Sequence, residues 1–422
     1  MKAAVLFFRI RQLIAKCCIL VAMKHLFALT TLLFFCLFLV ACSTPIAVTT
    51  TEEEQQIPST EVVAETPSVP PTREILTFEA FDEYPLTGRL TLPAGDRPVD
   101  KLVIYVNGSG PNTYENKRES NGLAFSYFDF FADEFSDLGV AFFSYNTRGV
   151  SIGEEPPLFQ EIDDTAYQSY IPHNEVKDVA TMIAGLQDHP RLQNAKIILL
   201  GWSAGTIISP LTVLTTDARV DVLLLAGYTN TTMRDALDWQ QTGGSSMVFY
   251  RQYFDYDGDR KISPQEFGED RYQVAAMFGI TFQDLDVDQS GYLDEQDFAI
   301  LLAPSKEALY AAIDRHDDQR LAQNYGIQLT SAWFDDYATL APNSETLLLV
   351  DIPIYIFHGV NDANVPVEQV HAIEESFKEK GKTNLTVSVF PDHDHDLNFA
   401  ETVVYETIPA GLQAIFDCVG VL

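Results

Sequence analysis

The chain is 422 residues long, which is enough for one large domain or two with a substantial core. Its hydrophobic content of 46% is typical of a globular protein, whereas its formal net charge of −33 is far from neutral. So negative a chain would repel phosphates, which argues against nucleic acids and anionic membrane surfaces as ligands, although solubility explains the charge equally well.

The first segment has the composition of a targeting sequence. Met23-Lys24-His25 precedes a largely apolar run over residues 26–41, which is followed directly by Cys42. This pattern resembles a bacterial lipoprotein signal, in which the cysteine is lipidated and becomes the mature N-terminus. The resemblance implies that residues 1–42 are a signal with Met23 as a possible true start. The domain would then be anchored to a membrane of the bacterial cell envelope through Cys42, outside the cytoplasm. An uncleaved anchor helix is the alternative.

The next segment, residues 43–73, is rich in Thr, Pro and Glu and poor in large apolar side chains. Such a segment cannot bury enough surface to fold, so the composition predicts a disordered tether between the membrane and the domain. Cys418 is the one cysteine after Cys42, so we expect no intramolecular disulfide in the mature chain.

From Glu74 onward the hydrophobic pattern becomes that of an α/β chain. In chain order it predicts a hairpin over 75–81 and 86–92, a strand over 101–106, an aromatic-faced helix over 123–138, a strand over 140–145, a helix over 173–187 and a strand over 222–226.

A strand followed at once by a helix carries the most informative motif. Residues 195–201 are typical of a buried strand and residues 204–216 of a helix, with Gly201-Trp202-Ser203-Ala204-Gly205 between them. In such a G-x-S-x-G turn the Ser203 hydroxyl would be exposed above the sheet edge, and the glycines leave room for neighbouring backbone. The helix N-terminus would direct free N–H groups at whatever the serine attacks. A glycine-rich turn without a function is the alternative.

Two later strands end in loops that carry a carboxylate and two imidazoles. The strand over 352–359 is followed by Asp362, within H-G-x-x-D-x-x-V-P, and the strand over 385–390 is followed by His393 and His395. Ser203, Asp362 and a histidine thus occur in the chain order Ser…Asp…His, each just beyond a strand. In these motifs, over residues 74–228 and 346–422, the sequence resembles the α/β-hydrolase family.

The resemblance implies a doubly wound, mostly parallel α/β sheet and a Ser-His-Asp triad. Ser203 would be the nucleophile, Asp362 would orient the imidazole, and His395 would be the base, with His393 as the runner-up. His395 is preferred because a polar and an apolar residue follow it, as is common in the family.

The resemblance also implies two backbone donors for the oxyanion of an acyl-transfer reaction, the N–H groups of Ser109 and Ala204. The match in the first loop is partial, because Asn107-Gly108 stands where the family usually has His-Gly. A Gly/Pro turn is the alternative reading of that loop.

Residues 229–345 interrupt the core pattern and are too long for a plain crossover, so we expect a helical cap over the active site. Two acidic loops inside it, residues 255–266 and 286–297, resemble EF-hand calcium loops, with an apolar residue at position 8 that pairs them. The resemblance implies these calcium ligands, the position-7 residues acting through their carbonyls: Asp255, Asp257, Asp259, Lys261, Ser263 and Glu266, and Asp286, Asp288, Ser290, Tyr292, Asp294 and Asp297.

Two departures from the EF-hand pattern predict weak binding, which suffices for a structural Ca²⁺ outside the cell. Arg260 replaces the turn glycine of the first loop, and Asp297 replaces the glutamate of the second. Two acidic turns in an acidic protein are the alternative.

Together these features predict a serine hydrolase that cleaves carboxylic esters, with calcium in the cap. A small-molecule ester or peptide is the expected substrate, and nucleic acid is not an expected partner. A peptidase or amidase of the same fold is the second hypothesis. A non-catalytic, calcium-binding surface lipoprotein is the third.

Overall fold

The computed structural model describes residues 70–120 and 122–422. The predicted signal with Cys42, and all but the last residues of the predicted tether, lie outside this range. Within it, no helix combines the length and the hydropathy needed to cross a membrane.

An eight-stranded sheet forms the centre of the fold, and two short hairpins accompany it. In chain order the strands are β1 (Thr72–Glu79), β2 (Pro85–Leu92), β3 (Lys101–Val106), β4 (Lys117–Ser120), β5 (Leu123–Ser126), β6 (Ala141–Tyr145), β7 (Val150–Ile152), β8 (Gln160–Ile162), β9 (Lys196–Trp202), β10 (Val222–Ala226), β11 (Ile354–Gly359) and β12 (Leu385–Phe390).

The large sheet has the strand order β1-β2-β6-β3-β9-β10-β11-β12, and the hairpins are β4-β5 and β7-β8. Strand β2 is antiparallel to both β1 and β6, whereas the neighbours from β6 to β12 are all parallel. The predicted, mostly parallel sheet is therefore confirmed. Its parallel part brings the carboxyl ends of β3, β9, β10, β11 and β12 to one edge, where ligands bind in open α/β sheets.

Helices connect and flank the strands. They are α1 (Tyr127–Asp137), α2 (Asp164–Tyr167), α3 (Pro172–Gln187), α4 (Gly205–Thr215), α5 (Met233–Gln241), α6 (Gly244–Phe254), α7 (Pro264–Glu269), α8 (Val274–Phe278), α9 (Phe282–Leu285), α10 (Glu295–Asp314), α11 (Asp318–Asn324), α12 (Ser331–Tyr337), α13 (Asn343–Thr346), α14 (Glu368–Glu379), α15 (Ala400–Tyr405) and α16 (Ala410–Val421), with a 3₁₀ turn at Leu347–Leu349.

The central strands are buried on both faces, which explains their continuous apolar runs. In β9, Ile197 and Leu199 pack into one apolar cluster, and Ile198 and Leu200 pack into another on the opposite face. The first cluster includes side chains of α3 and α14, and the second includes those of α1 and α16. The sheet is thus covered by helices on both sides.

One predicted element is wrong in its first turn. The helix predicted over 123–138 begins only at Tyr127, because Leu123–Ser126 forms strand β5 and pairs with β4. Ser126 ends the strand and caps the helix, since its hydroxyl accepts a hydrogen bond from the Asp129 N–H at 3.2 Å. The aromatic residues matched a helical pattern, but the cap and the strand pairing set the boundary.

The long insertion between β10 and β11 carries helices α5 to α13. Its acidic-loop part has an apolar cluster of its own, in which Phe254, Phe267 and Phe298 are buried. A different cluster joins the last insertion helices to the core, where Trp333 and Tyr337 pack with Ile207 of α4. The insertion therefore rests on the helix that follows Ser203.

Candidate active site

Ser203 occupies the sharp turn between β9 and α4. Its φ of 53° is a left-handed backbone conformation that is strained for any residue with a side chain. The flanking glycines permit it, because a Cβ on Gly205 would collide with the Val106 carbonyl oxygen and one on Gly201 would collide with the first turn of α4. The Ser203 N–H donates to the Ala226 carbonyl at 2.9 Å, which ties the turn to the neighbouring strand.

Asp362 and His395 meet through a hydrogen bond. The Asp362 side chain is fully buried, and its Oδ2 accepts from His395 Nδ1 at 2.8 Å. Its Oδ1 accepts from the N–H groups of Asn364 at 2.7 Å and Val365 at 2.9 Å. Because Nδ1 is the donor, Nε2 carries the lone pair of the neutral ring.

The imidazole of His395 lies beside the backbone that holds Ser203. A Cβ on Gly227 would stand 2.7 Å from Cε1 and 3.3 Å from Nε2 of this ring, and Gly227 directly follows Ala226. The Trp202 indole Nε1 also donates to the His395 carbonyl at 3.2 Å. Ser203 Oγ makes no hydrogen bond with any residue in the described ranges. The structure therefore gathers Ser203, Asp362 and His395 in one place and leaves the hydroxyl unengaged.

His393, the runner-up for the base, lies in the same loop but is engaged elsewhere. Its Nδ1 lies 2.8 Å from the Pro391 carbonyl and its Nε2 accepts from the Gly411 N–H at 3.1 Å. Both ring nitrogens are thus engaged, Nδ1 within the loop and Nε2 with Gly411 of α16.

A third imidazole, which sequence analysis quoted only as part of a motif, supports the aspartate loop. His358 is completely buried; its Nδ1 accepts from the Tyr228 N–H and its Nε2 donates to the Val365 carbonyl, both at 3.1 Å. Burial lowers the pKa of His358, which keeps the ring neutral. The sequence signal was its place in His-Gly-x-x-Asp, at the end of β11.

The loop after β3 lies against the nucleophile. A Cβ on Gly108 would stand 3.3 Å from the Ser203 Cβ. The N–H groups of Ser109 and Ala204, the two predicted oxyanion donors, have no acceptor among the described residues. Asn112 Nδ2 fixes the loop by donating to the carbonyls of Gly108 and Gly110 at 3.3 and 3.1 Å. Sequence analysis missed Asn112, because nothing in its local pattern signals this bond.

The family model of the alpha/beta hydrolase family matches residues 103–407, which include all of these loops. The chain belongs to the α/β-hydrolase family. No curated protein matches the sequence of this α/β hydrolase.

Among solved structures the α/β hydrolase is similar to a thermostable carboxyl esterase from Bacillus coagulans, at 14% identity over 82% of this chain and 97% of that chain, with a TM-score of 0.46. It is also similar to the Pyrococcus furiosus esterase PF2001, at 12% identity over 83% and 89%, with a TM-score of 0.42. A third similarity is to the Pyrococcus horikoshii acylaminoacyl peptidase, at 12% identity with a TM-score of 0.44. The match covers 80% of this chain but spans only 40% of the peptidase.

In this hydrolase the Asp362–His395 pair has the electrostatics of an ion pair. Burial acts to lower the pKa of His395, but the charge and hydrogen bond of Asp362 outweigh it and raise that pKa to about 9. Burial acts to raise the pKa of Asp362, but the imidazole outweighs it and holds that pKa below its usual range. Positive charge on His395 is thus stabilised by the buried carboxylate.

The first acidic loop of the insertion brings three of its predicted ligands together. Carboxylate oxygens of Asp255, Asp257 and Asp259 all lie within 4.8 Å of one another. Glu266 is not in this group, because its carboxylate accepts from the Tyr256 N–H at 2.9 Å and the Ser263 N–H at 2.8 Å. Ser263 Oγ lies 2.8 Å from Glu266 Oε2 and caps α7.

The second acidic loop groups Asp286, Asp288 and Asp297, again within 4.8 Å. Asp294 instead caps α10, and the Tyr292 carbonyl accepts from Ser290 Oγ at 2.9 Å. The two loops are paired at position 8. Ile262 and Leu293 form an antiparallel bridge with N–H···O distances of 3.1 and 2.9 Å.

The His395 pKa gives a direct test of these electrostatics. We expect a value of about 9 in the native protein. Asp362→Asn removes the carboxylate charge but leaves the ring buried near Asp394 and Asp396, so the His395 pKa should fall well below about 9. The measurement is an NMR titration of the imidazole resonances. Asp351→Asn is the matched control, since that side chain is 94% exposed and pairs with Lys382. A His395 pKa that Asp362→Asn leaves unchanged would contradict the ion pair.

Proposed function

We propose that the chain is a serine hydrolase that cleaves carboxylic esters through an acyl-enzyme on Ser203. The observation that carries the proposal is the 2.8 Å hydrogen bond between buried Asp362 and His395. The His395 ring stands beside Gly227, which follows the residue that binds the Ser203 N–H. Nucleophile, base and orienting acid are the three parts that acyl transfer by a serine requires.

In the first half-reaction, Ser203 Oγ attacks the carbonyl carbon of the ester while its proton passes to Nε2 of His395. The carbonyl oxygen becomes negative and is stabilised by the free N–H groups of Ser109 and Ala204, while Asp362 stabilises the imidazolium. The C–O bond to the alcohol then breaks, and the alcohol oxygen takes the proton from His395. Ser203 Oγ and Nε2 would come into hydrogen-bond contact when substrate binds, since catalytic hydrogen bonds are often long or poorly aligned before that.

In the second half-reaction, water replaces the alcohol. His395 Nε2 takes a proton from the water as its oxygen attacks the acyl carbon, and the same N–H groups stabilise the negative oxygen. The bond to Ser203 Oγ then breaks, and Oγ regains the proton from His395. The products are a carboxylic acid and the free enzyme. An amide would follow the same path with an amine as leaving group, so a peptide substrate is the second candidate.

The roles of the two histidines can be separated by kinetics on p-nitrophenyl esters of graded acyl length, with peptide p-nitroanilides in parallel. Ser203→Ala and His395→Ala should each lower kcat by at least roughly 10³-fold, because each removes a part of one catalytic unit. His393→Ala is the matched control and should retain kcat within a fewfold, since His393 holds the loop from outside the site. For the native enzyme, kcat/KM should rise with pH up to about 9, because His395 accepts a proton only when neutral.

A fluorophosphonate probe should label Ser203 in the native protein and fail to label Ser203→Ala. A folded native protein that neither turns over esters nor reacts with the probe would contradict the proposal and favour a non-catalytic role. Cleavage of the anilides but not of the esters would favour the peptidase.

We further propose that the acidic loops bind Ca²⁺ as a structural ion. The chemistry of the donors fits, because clustered carboxylate oxygens are the ligands that Ca²⁺ prefers. Asp255, Asp257 and Asp259 would hold the ion in one loop and Asp286, Asp288 and Asp297 in the other. Bound Ca²⁺ would offset the repulsion within each cluster and stabilise the bridge between the loops.

Calcium binding predicts a thermal shift. Saturating Ca²⁺ should raise the Tm of the purified protein above its value in EDTA by at least about 3 °C, since an ion that binds only the folded state stabilises it. Asp257→Asn with Asp288→Asn should remove the shift, and Asp351→Asn should retain it. Arg260→Gly should raise the calorimetric affinity of the first loop, because Arg260 has a φ of 73° that favours glycine. Equal Tm values in Ca²⁺ and EDTA would contradict the proposal.

The lipid anchor at Cys42 and the location in the cell envelope stay predictions from the sequence. The same holds for the role of the insertion as a cap, which is supported by its packing on α4 and by the Gln240 Nε2 bond to the Asn364 carbonyl at 2.9 Å.

A further inference from the structure

A chain of buried hydrogen bonds connects helix α3 to the loop that lies on Ser203. Tyr145, at the end of β6, donates its hydroxyl to Glu175 Oε1 of α3 at 3.0 Å. The same hydroxyl oxygen accepts from the Asn107 N–H at 3.5 Å, and Asn107 Nδ2 donates to the Tyr145 carbonyl at 3.2 Å. Glu175, Tyr145 and Asn107 are 5%, 3% and 1% exposed, so the chain is shielded from water along its length.

The other end of the hydrogen-bond series, Asn107, is in contact with the turn that carries Ser203. A Cβ on Gly205, the first residue of α4, would stand 2.8 Å from the Asn107 carbonyl oxygen, and Gly108 lies against the Ser203 Cβ. The next residue, Ser109, carries one of the two N–H groups that point to no acceptor among the described residues. A shift of Asn107 would therefore move this N–H relative to Ser203.

The hydrogen-bond series starts at Glu175, whose surroundings are unusual for a carboxyl group. Burial, with the charge of Asp178 in support, raises the pKa of Glu175 to about 8, against the opposing effect of the Tyr145 hydrogen bond. No cation pairs with Glu175 in the described ranges, because the neighbouring Arg148 binds Asp178 and Asp82 instead. Burying such a group costs stability, which an apolar side chain of similar size would not. Core packing alone gives no reason for a carboxyl there.

We propose that Glu175 is a positioning residue for the hydrolytic reaction. Through the Tyr145 hydroxyl it fixes the backbone of Asn107 and Gly108 against Ser203, and so sets the position of the Ser109 N–H. The inference rests on the proposed function, because it assigns a role in the oxyanion step of that reaction. Donors to an oxyanion act only when they are held at the correct distance before the charge develops.

The test compares variants in which one group of the Glu175–Tyr145–Asn107 hydrogen-bond series is changed. Tyr145→Phe removes the shared hydroxyl without changing the ring, and Glu175→Leu removes the acceptor at similar volume. Each should lower kcat for a p-nitrophenyl ester by roughly 10- to 100-fold with KM within twofold, because a small misplacement of the donor affects the transition state and not ground-state binding. Glu175→Gln keeps an acceptor for the Tyr145 hydroxyl and should rescue most of kcat.

Tyr167→Phe is the matched control. Tyr167 is a buried tyrosine whose hydroxyl donates to the Gln328 carbonyl at 2.6 Å and makes no hydrogen bond with Asn107, Tyr145 or Glu175 in the described residues. It should lower Tm without lowering kcat. A trifluoromethyl ketone, which forms a tetrahedral oxyanion on a serine, should bind Tyr145→Phe more weakly by the same factor as the loss in kcat.

The outcomes separate the two proposals. A native protein without esterase or amidase activity would overturn the proposed function and this inference with it. An active native protein whose kcat is unchanged in Tyr145→Phe, or is lowered equally by Tyr167→Phe, would overturn the inference alone. If Glu175→Leu does not fold, Tyr145→Phe and Glu175→Gln still decide the question.

Discussion

The hydrogen bond between Asp362 and His395 joins two loops whose residues are 33 positions apart. The Asp362 side chain is fully buried, and that of His395 is only 11% exposed. A buried carboxylate is costly unless its oxygens are occupied. Here two backbone N–H groups and one imidazole occupy them, and His358 holds the Val365 carbonyl on the same loop. The arrangement depends on the parallel register of β11 and β12, because only parallel strands bring both loops to the same edge of the sheet.

The strained turn at Ser203 lies at the same edge of the sheet. A left-handed residue between a strand and a helix costs free energy locally, and the packing of β9 and α4 on both sides maintains it. The strain leaves the hydroxyl partly exposed beside an imidazole whose ring is nearly buried. Rigid support thus comes from the sheet, whereas the insertion packs on α4 and the loop after β3 lies against Ser203.

The parts of the molecule that sequence analysis could predict are those encoded locally. The strands that build the parallel sheet were predicted from short apolar runs, and the chain order of Ser203, Asp362 and the histidines followed from motifs at strand ends. The choice between His393 and His395 could only be argued by analogy, because two residues of separation along a loop do not reveal which ring faces Asp362. In the structure the His395 ring bonds Asp362, whereas the His393 ring bonds Pro391 and Gly411.

Other features could not be predicted from the hydrophobic pattern alone. The first turn of the expected helix at Leu123 is a strand, since β4 pairs with it and Ser126 caps the helix behind it. The hydrogen bond between Tyr145 and Glu175 joins residues 30 positions apart with no motif in either element. Local propensity encodes neither contact, whereas the pairing of the acidic loops at Ile262 and Leu293 follows from a repeat that is visible in the sequence.

The most direct measurement of the central claim is a crystal structure of the protein after reaction with a phosphonate that forms a covalent, tetrahedral adduct. The account predicts an adduct on Ser203 whose phosphonyl oxygen lies about 2.7–3.1 Å from the N–H groups of Ser109 and Ala204, with His395 Nε2 at hydrogen-bond distance from the leaving-group side. An adduct on another residue, or one on Ser203 whose phosphonyl oxygen faces solvent with His395 turned away from Asp362, would contradict it.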